Sequence, residues 1–454
     1  MKTSGKKPGG SPARLAEIIK SQILLKRNPT GPRTIQYVQK RNFALTVANG
    51  VWVQIAIAFS NISTIIPAFI LNLTSSLFVI GIISSVESVG WFLPQFYVAS
   101  RIQHLPKKKW LYDRMNFFRF ACYLLMGVLV FLSLHLNTAI LLILFTLLYI
   151  LYSFGGGIAA IPFLSIIGET IPSNRRGSLW SYRMFLGGSL AALAALAVNP
   201  ILNHILFPYN YGLLFSLTAI ILLVGFLSFS LVYEPTTKQK EKPQPFQVML
   251  AESRRQLRRD PDYRKIMFLR LAFAFWGLAL PFYVVFALKD MGMPEANIGF
   301  LFSVQSLGLL LTNLAWGYLS DHFGNRLVII LNSFTAMLIP VLAIASAWLG
   351  YWGLMLIYAA FFIKGSLDGG FWIGYSNYLV DIAPKDRLPA TLGFMNTFTG
   401  LTFFLTPLGG LLADFVGFLP VFALAAVSAV AMLVISVRLS EPRNNLDRKE
   451  VQPI

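Results

Sequence analysis

From Asn42 to the neighbourhood of Leu439 the chain is a series of long apolar runs separated by short polar stretches, and no other feature restricts its fold as much. A helix crossing a bilayer needs roughly 20 predominantly apolar residues, and run after run meets that length. The expectation is an all-α membrane protein. Composition agrees: 13% of residues are charged and 56% hydrophobic, where a soluble domain is about a quarter charged. The single cysteine, Cys122, lies inside an apolar run, which excludes a disulfide framework and a cysteine-based metal site.

Twelve transmembrane helices are expected. The first six run from Asn42 to Leu71, Ser76 to Ser100, Trp110 to Leu134, Thr138 to Gly168, Ser178 to Asn199 and Tyr211 to Tyr233. The second six run from Asp262 to Leu288, Glu295 to Ser320, Leu327 to Gly350, Tyr351 to Ile382, Leu388 to Ala413 and Phe418 to Leu439. This divides the chain into a basic arm (1–41), a six-helix bundle (42–233), a linker (234–261), a second six-helix bundle (262–439) and a tail (440–454).

The formal charge of +19 raises the question of a nucleic-acid partner, and its distribution answers it. With the N-terminus inside, 32 of the 38 lysines and arginines fall on inner segments or at the inner ends of spans, Arg264, Lys265 and Arg438 among the latter, and only Lys289 on the outer side. The other five, Arg114, Arg119, Arg183, Arg270 and Lys364, lie further within spans. That asymmetry is the positive-inside pattern, so no nucleic-acid partner is expected and both termini are placed in the cytoplasm. About 40 polar residues precede the first apolar run, which is too long for a signal peptide. The expected location is the plasma (cell inner) membrane, with a monomer as the unit. Within the arm, SPARLAEIIKSQILLKRNP (Ser11 to Pro29) reads as a basic amphipathic helix, which fits either an anionic inner leaflet or a flank of the first span. FQVMLAESRRQLRR in the linker is a second such piece, and Asp260-Pro261 after it reads as the capped start of the seventh span.

The two halves align at an offset of 212. GETIPSNRRG (Gly168 to Gly177) then meets VDIAPKDRLP (Val380 to Pro389), with Glu169 opposite Asp381, Pro172 opposite Pro384 and Arg175 opposite Arg387. Joined to equal span counts, this favours two pseudo-symmetric six-helix bundles, with the fourth span corresponding to the tenth.

At the end of the eighth span stands WGYLSDHFGNRLVII. Its Gly317, Asp321, Gly324 and Arg326 have the G-x-x-x-D-x-x-G-x-R spacing of the loop motif of the major facilitator superfamily, which the sequence resembles over essentially its whole length. TPLGGLLAD (Thr406 to Asp414) is similar to the glycine-rich gating helix of that family. The resemblance implies the major facilitator fold and a cytoplasmic gate in which Asp321 opposes the start of the fifth span near Gly177 and Ser178, with Arg326 and Asp381 completing a charge network. It also implies that the first, fourth, seventh and tenth helices line a central cavity. Departures are clear as well. The corresponding first-half loop, ASRIQHLPKKK, keeps only the basic end Lys107 to Lys109. The fourth span carries no arginine, and the fifth lacks G-P-x-x-G-G, so the patterns of proton-coupled members and drug antiporters are missing.

Ionisable groups inside a membrane cost about 2.5–3.5 kcal/mol each on insertion scales, so each is a candidate for function. Arg183 and Arg270 lie within two turns of the inner ends and are expected to snorkel to the headgroups. Arg119 lies deeper, in a helix expected to be peripheral. Glu87, in GIISSVESVGWFLPQ, sits halfway along the second span, placed to carry a proton or to meet a cation or Arg119. Lys364 and Asp368 share one helix face at i, i+4, and Trp372 and Tyr375 continue it. The aligned positions of the fourth span hold Tyr152 and Gly156, both uncharged, which favours a substrate or coupling role for the charged pair over a self-neutralised ion pair. Gln54, Asn49 and Asn61 of the first span, with Trp276, Tyr283 and Gln305, are further cavity candidates.

The expected function is a secondary transporter moving a small polar or charged solute by alternating access; coupling to a proton or ion, to another solute or to nothing stays open, with Glu87 and Asp368 the carboxyls able to titrate. A non-transporting membrane sensor or scaffold on the same fold is the alternative. No cofactor or metal is expected. An enzyme is not expected either, because His104, His135, His204 and His322 all fall near loops or span ends.

Overall fold

The computed structural model describes residues 32–102, 105–236, 246–383 and 388–442. The amphipathic piece at Ser11 to Pro29, Arg387 and most of the tail lie outside them.

The apolar runs fold as helices because each satisfies its own backbone hydrogen bonds where no water is available. The first half comprises α1 (Pro32–Ala58), α2 (Ile65–Leu71), α3 (Leu77–Phe92), α4 (Gln95–Ile102), α5 (Lys109–Phe131), α6 (Thr138–Thr170), α7 (Ser173–Leu196), α8 (Val198–His204) and α9 (Tyr209–Ser230). A linker helix, α10 (Phe246–Arg259), precedes the second half. There follow α11 (Pro261–Gly277), α12 (Phe282–Lys289), α13 (Ile298–Phe323), α14 (Asn325–Ser346), α15 (Gly353–Ile382), α16 (Leu388–Thr402), α17 (Thr406–Val416) and α18 (Phe418–Val437). Among the described residues, 11 helical segments are long and apolar enough to cross a membrane. The first span falls outside that set because its helix is interrupted, which divides its apolar residues between α1 and α2.

That interruption is chemical. The Asn61 side chain accepts from Ser63 N at 2.9 Å and Thr64 Oγ1 at 3.2 Å, and its carbonyl accepts from the amides of Thr64, Ile65 and Ile66. An asparagine that bonds its own downstream backbone offers the chain an alternative to the helical ladder. The seventh span breaks in the same region of its bundle, where Pro281 removes a donor between α11 and α12.

The first six spans pack on one another, as do the last six. The bundles meet chiefly where α3 lies along α17 and where α7 lies along α13. On the side opposite the basic loops the junction is closed. Gly410 lies so near α3 that a Cβ there would stand 2.2 Å from the Leu77 carbonyl oxygen. The Asp414 carboxylate accepts from the amides of Leu77 and Phe78, both at 2.9 Å, and from Ser76 Oγ at 3.3 Å. A carboxylate there both satisfies orphan N–H groups and complements the helix dipole. Glu295 of the second half accepts from Asn72 Nδ2 at 2.8 Å and from the Tyr211 hydroxyl, both in the first half.

On the basic side the second and eleventh spans still touch, through Asn396 Nδ2 to Gln95 Oε1 at 3.2 Å. There Gly177 and Ser178 of the fifth span are exposed, and among the described residues no atom of another element lies within 4 Å of where a Cβ would sit at Gly177 or Gly317.

Candidate functional site

The loop motif folds around one residue. Gly324 takes φ +89°, ending α13 and starting α14. That left-handed conformation is natural only to glycine. The charge network differs in one partner from the expectation. Asp381 is held by Asn325, whose Nδ2 donates to Oδ2 at 2.6 Å while its Oδ1 accepts from Ser320 Oγ at 2.6 Å. Arg326 instead donates from Nη2 to the Val437 carbonyl at 2.8 Å, because it points along the end of α18. The first half has a matching contact that sequence comparison did not show: Lys108 Nζ lies 2.7 Å from Glu169 Oε1. Since Glu169 aligns with Asp381, each bundle ties the end of its fourth helix to the loop after its second. Arg175 and Asp321 are both exposed.

At mid-span in the second half, Lys364 Nζ and Asp368 Oδ2 are 2.9 Å apart, and Gln305 Nε2 donates to the same oxygen at 3.0 Å. The three come together because α13 and α15 pack very closely. A Cβ on Gly365 would lie 1.8 Å from the Gln305 carbonyl, so only glycine admits that approach. The two charges are unequally placed: the lysine side chain is 9% exposed and the aspartate 39%. Trp372, one turn on, is 57% exposed. Tyr375 is not on that open stripe. It is fully buried and its ring lies 4.6 Å from that of Phe371, because seven residues separate it from Asp368 and the stripe has turned away.

In the first half, Glu87 is half-buried and Oε2 accepts from the Tyr149 hydroxyl at 2.7 Å. Tyr152 is buried, and its hydroxyl accepts from Arg119 Nη2 at 2.9 Å. Arg119 also donates to Asn116 Oδ1 at 2.9 Å and lies over the Tyr152 ring at 4.5 Å. Its Cζ is 3.2 Å from the Cβ position of Gly156. The positions that align with Lys364 and Asp368 are thus covered by a cation after all, supplied by a neighbouring helix. Arg119 is turned into its bundle, contrary to the peripheral placement expected of it. No alignment of one helix with another could show this.

The remaining candidates are not gathered with these. Gln54 Nε2 faces Met184 Sδ at 3.7 Å, between the first and fifth spans. Asn61 holds the break in the first span, as described above. Asn49 Nδ2 donates to the Gly225 carbonyl at 2.8 Å. Trp276 is 1% exposed and its indole N–H ties α11 to the Ala336 carbonyl of α14 at 2.8 Å. Tyr283 is buried against Phe422.

Arg183 and Arg270 do not snorkel. They are 8% and 4% exposed. Arg183 Nη1 donates to the Thr46 carbonyl and to Asn49 Oδ1 at 3.0 Å. Arg270 Nη1 donates to Thr399 Oγ1 at 2.8 Å, and each guanidinium lies over aromatic rings. Polar partners and ring faces inside the bundle hold them where headgroups were expected to.

Against known proteins, residues 269–453 match the sequence model of a family described as Major Facilitator Superfamily. The quinolone resistance protein NorA of Staphylococcus aureus is 24% identical over 170 residues, 37% of this chain; the chain spans 42% of that relative's length. Among solved structures, a D-xylose-proton symporter aligns with TM-score 0.67 at 14% identity, covering 88% of this chain and 98% of that one. The nucleoside transporter NupG gives 0.62 at 14%, covering 88% and 98%. A bacterial homologue of the iron transporter ferroportin, inward-facing, gives 0.63 at 14%, covering 90% and 99%. At such identities these structures establish the fold, two six-helix bundles in the major facilitator arrangement. In that fold, in the loop motif built on Gly324 and in the sequence match of residues 269–453, the chain is similar to the major facilitator superfamily.

Proposed function

We propose that this protein is a secondary transporter that moves a small polar or charged solute across the plasma (cell inner) membrane by alternating access. The basic side is the cytoplasmic one, by the positive-inside pattern, and both termini lie there. The arrangement described above, shut at the Asp414 and Glu295 contacts on the side away from the basic loops, is then read as inward-facing. Support for two alternating arrangements comes from the similar ferroportin homologue, solved in both inward-facing and outward-facing states.

The observation that carries the reading is the half-open carboxylate of Asp368 at mid-membrane, held by Lys364 and Gln305 beside the exposed Trp372. A greasy solute needs no such group. Glu87, with Tyr149, Tyr152 and Arg119, is the polar group of the other bundle, and Glu87 and Asp368 are the carboxyls through which a proton or ion would couple. Gln54, Asn61, Trp276 and Tyr375 act by shaping the helices around the site. Gly317, Asp321, Gly324, Arg326, Asp381, Glu169, Arg175 and Arg387 belong to the cytoplasmic gate. One chain holds both halves, so a monomer suffices, and no cofactor takes part.

Reconstitution of the purified protein into vesicles tests this. Solute flux should depend on the protein for at least one member of a panel of sugars, nucleosides, amino acids and organic ions. Absence of protein-dependent flux for every class, with correctly folded protein in the vesicles, would favour a sensor or scaffold instead.

A further inference from the structure

A groove on the outer surface of the second bundle runs between α11 and α18. Its walls are Phe268, Leu271, Phe275 and Ile435, and at its basic-side mouth stand Lys265 and Arg438. Phe268 is 53% exposed, so the groove opens outward to where lipid lies.

The mouth is cationic and its carboxylate is already engaged. Asp262 is 2.7 Å from Lys265 Nζ and also accepts from Ser440 Oγ. Lys265 donates in addition to the Arg438 carbonyl at 2.7 Å, which sets the two basic residues side by side. The Arg438 side chain is exposed and forms none of the ion pairs among the described residues. Other exposed cations stand near in the chain: Arg264 of the same helix, whose Nη1 donates to the Arg258 carbonyl at 3.3 Å, and Arg254, Arg255, Arg258 and Arg259 of α10, the helix that leads into α11. α10 docks on the eleventh span through Gln256 Oε1, which accepts from Thr391 Oγ1 at 2.7 Å.

A second groove, between α1 and α7, makes a useful contrast. It is lined by Phe43, Val47, Trp52, Tyr182 and other uncharged residues, with no cation among them. Apolar walls alone suit any acyl chain. Apolar walls ending in a cationic mouth suit a molecule with a chain and an anionic head.

We propose that the groove between α11 and α18 binds one anionic phospholipid, its phosphodiester against Arg438 and Lys265 and an acyl chain along Phe268, Leu271 and Phe275. The proposal rests on the chain lying in a bilayer and is independent of which solute it moves. Because α10 joins the mouth to the eleventh span, which also contacts the second span across the bundle junction, the lipid is placed to bias the balance between the two arrangements.

The test uses the full-length protein, delipidated in detergent and offered phosphatidylglycerol, phosphatidylcholine or inorganic phosphate. Native mass spectrometry reads retained lipid, and thermal unfolding reads stabilisation. Wild type should retain phosphatidylglycerol about tenfold better than phosphatidylcholine, as expected when anionic charge meets clustered basic residues. Arg438→Gln should abolish the preference, and Arg438→Lys should keep most of it. Ala272→Trp, which fills the groove without changing charge, should lower retention of both lipids. Arg438→Gln is the decisive variant if the tryptophan one unfolds, because the Arg438 side chain is exposed. Equal phosphatidylglycerol retention by wild type and Arg438→Gln would overturn the proposal. So would stabilisation by inorganic phosphate equal to that by the lipid, which would indicate a headgroup contact without a chain site.

Discussion

Asp368→Ala and Lys364→Ala should each reduce protein-dependent solute flux to background in reconstituted vesicles, and they should differ in stability. Removing Asp368 leaves an ammonium that is 9% exposed with no carboxylate partner. Breaking a buried pair in this way costs about 3–5 kcal/mol, so Asp368→Ala should unfold at visibly lower temperature than wild type. Removing Lys364 leaves a carboxylate that is 39% exposed and still bonded to Gln305, and its penalty should be well below that of its partner. The double variant Lys364→Met/Asp368→Leu separates two roles. Replacing a whole pair by apolar groups is often neutral or stabilising. A pair that merely neutralises itself would therefore leave an active double variant, whereas a transport site leaves one that is stable and inactive. Stability is read by unfolding in detergent and activity by flux.

Asp414→Ala should shift the protein toward the arrangement open on the side away from the basic loops. Its carboxylate caps the first amides of α3 across the bundle junction. Loss of such a cap costs about 0.5–2 kcal/mol, and a charge at a helix N-terminus contributes about 0.3–1 kcal/mol more. The closed arrangement should thus lose between about fourfold and about a hundredfold in relative population, since 1.4 kcal/mol corresponds to a factor of ten. Spin labels at Ser75→Cys and Lys289→Cys, both exposed and on opposite bundles at that end, report the change in a Cys122→Ser background. A longer-distance population should grow in the Asp414 variant. A distance distribution identical to wild type would show that the cap does not hold the closure.

Much of this architecture is legible in the chain because lipid imposes a simple requirement: each long apolar run must close its own hydrogen bonds. The spans, the loop motif and the mid-membrane pair Lys364 and Asp368 follow from that. What escapes are contacts whose partners come from other helices. Arg119 sits on a helix expected to be peripheral, and only when α5 is packed on α6 does it cover Tyr152 and Gly156. Asp381 bonds Asn325 in place of Arg326 because the turn at Gly324 directs Arg326 toward α18. Asn61 and Trp276 read as possible cavity residues, since an amide or indole in a span has the same helical spacing whether it binds solute, ends a helix or ties two together. The closure at Asp414 and Glu295 lies at helix ends, where residue type gives no hint of a partner in the other bundle.

The most direct measurement is a ligand screen by thermal shift on purified wild type, repeated on Lys364→Ala. At least one small polar or charged solute that is also transported should raise the unfolding temperature of wild type and leave that of Lys364→Ala unchanged. The same shift in both proteins would place the solute elsewhere and contradict a transport site at Lys364 and Asp368.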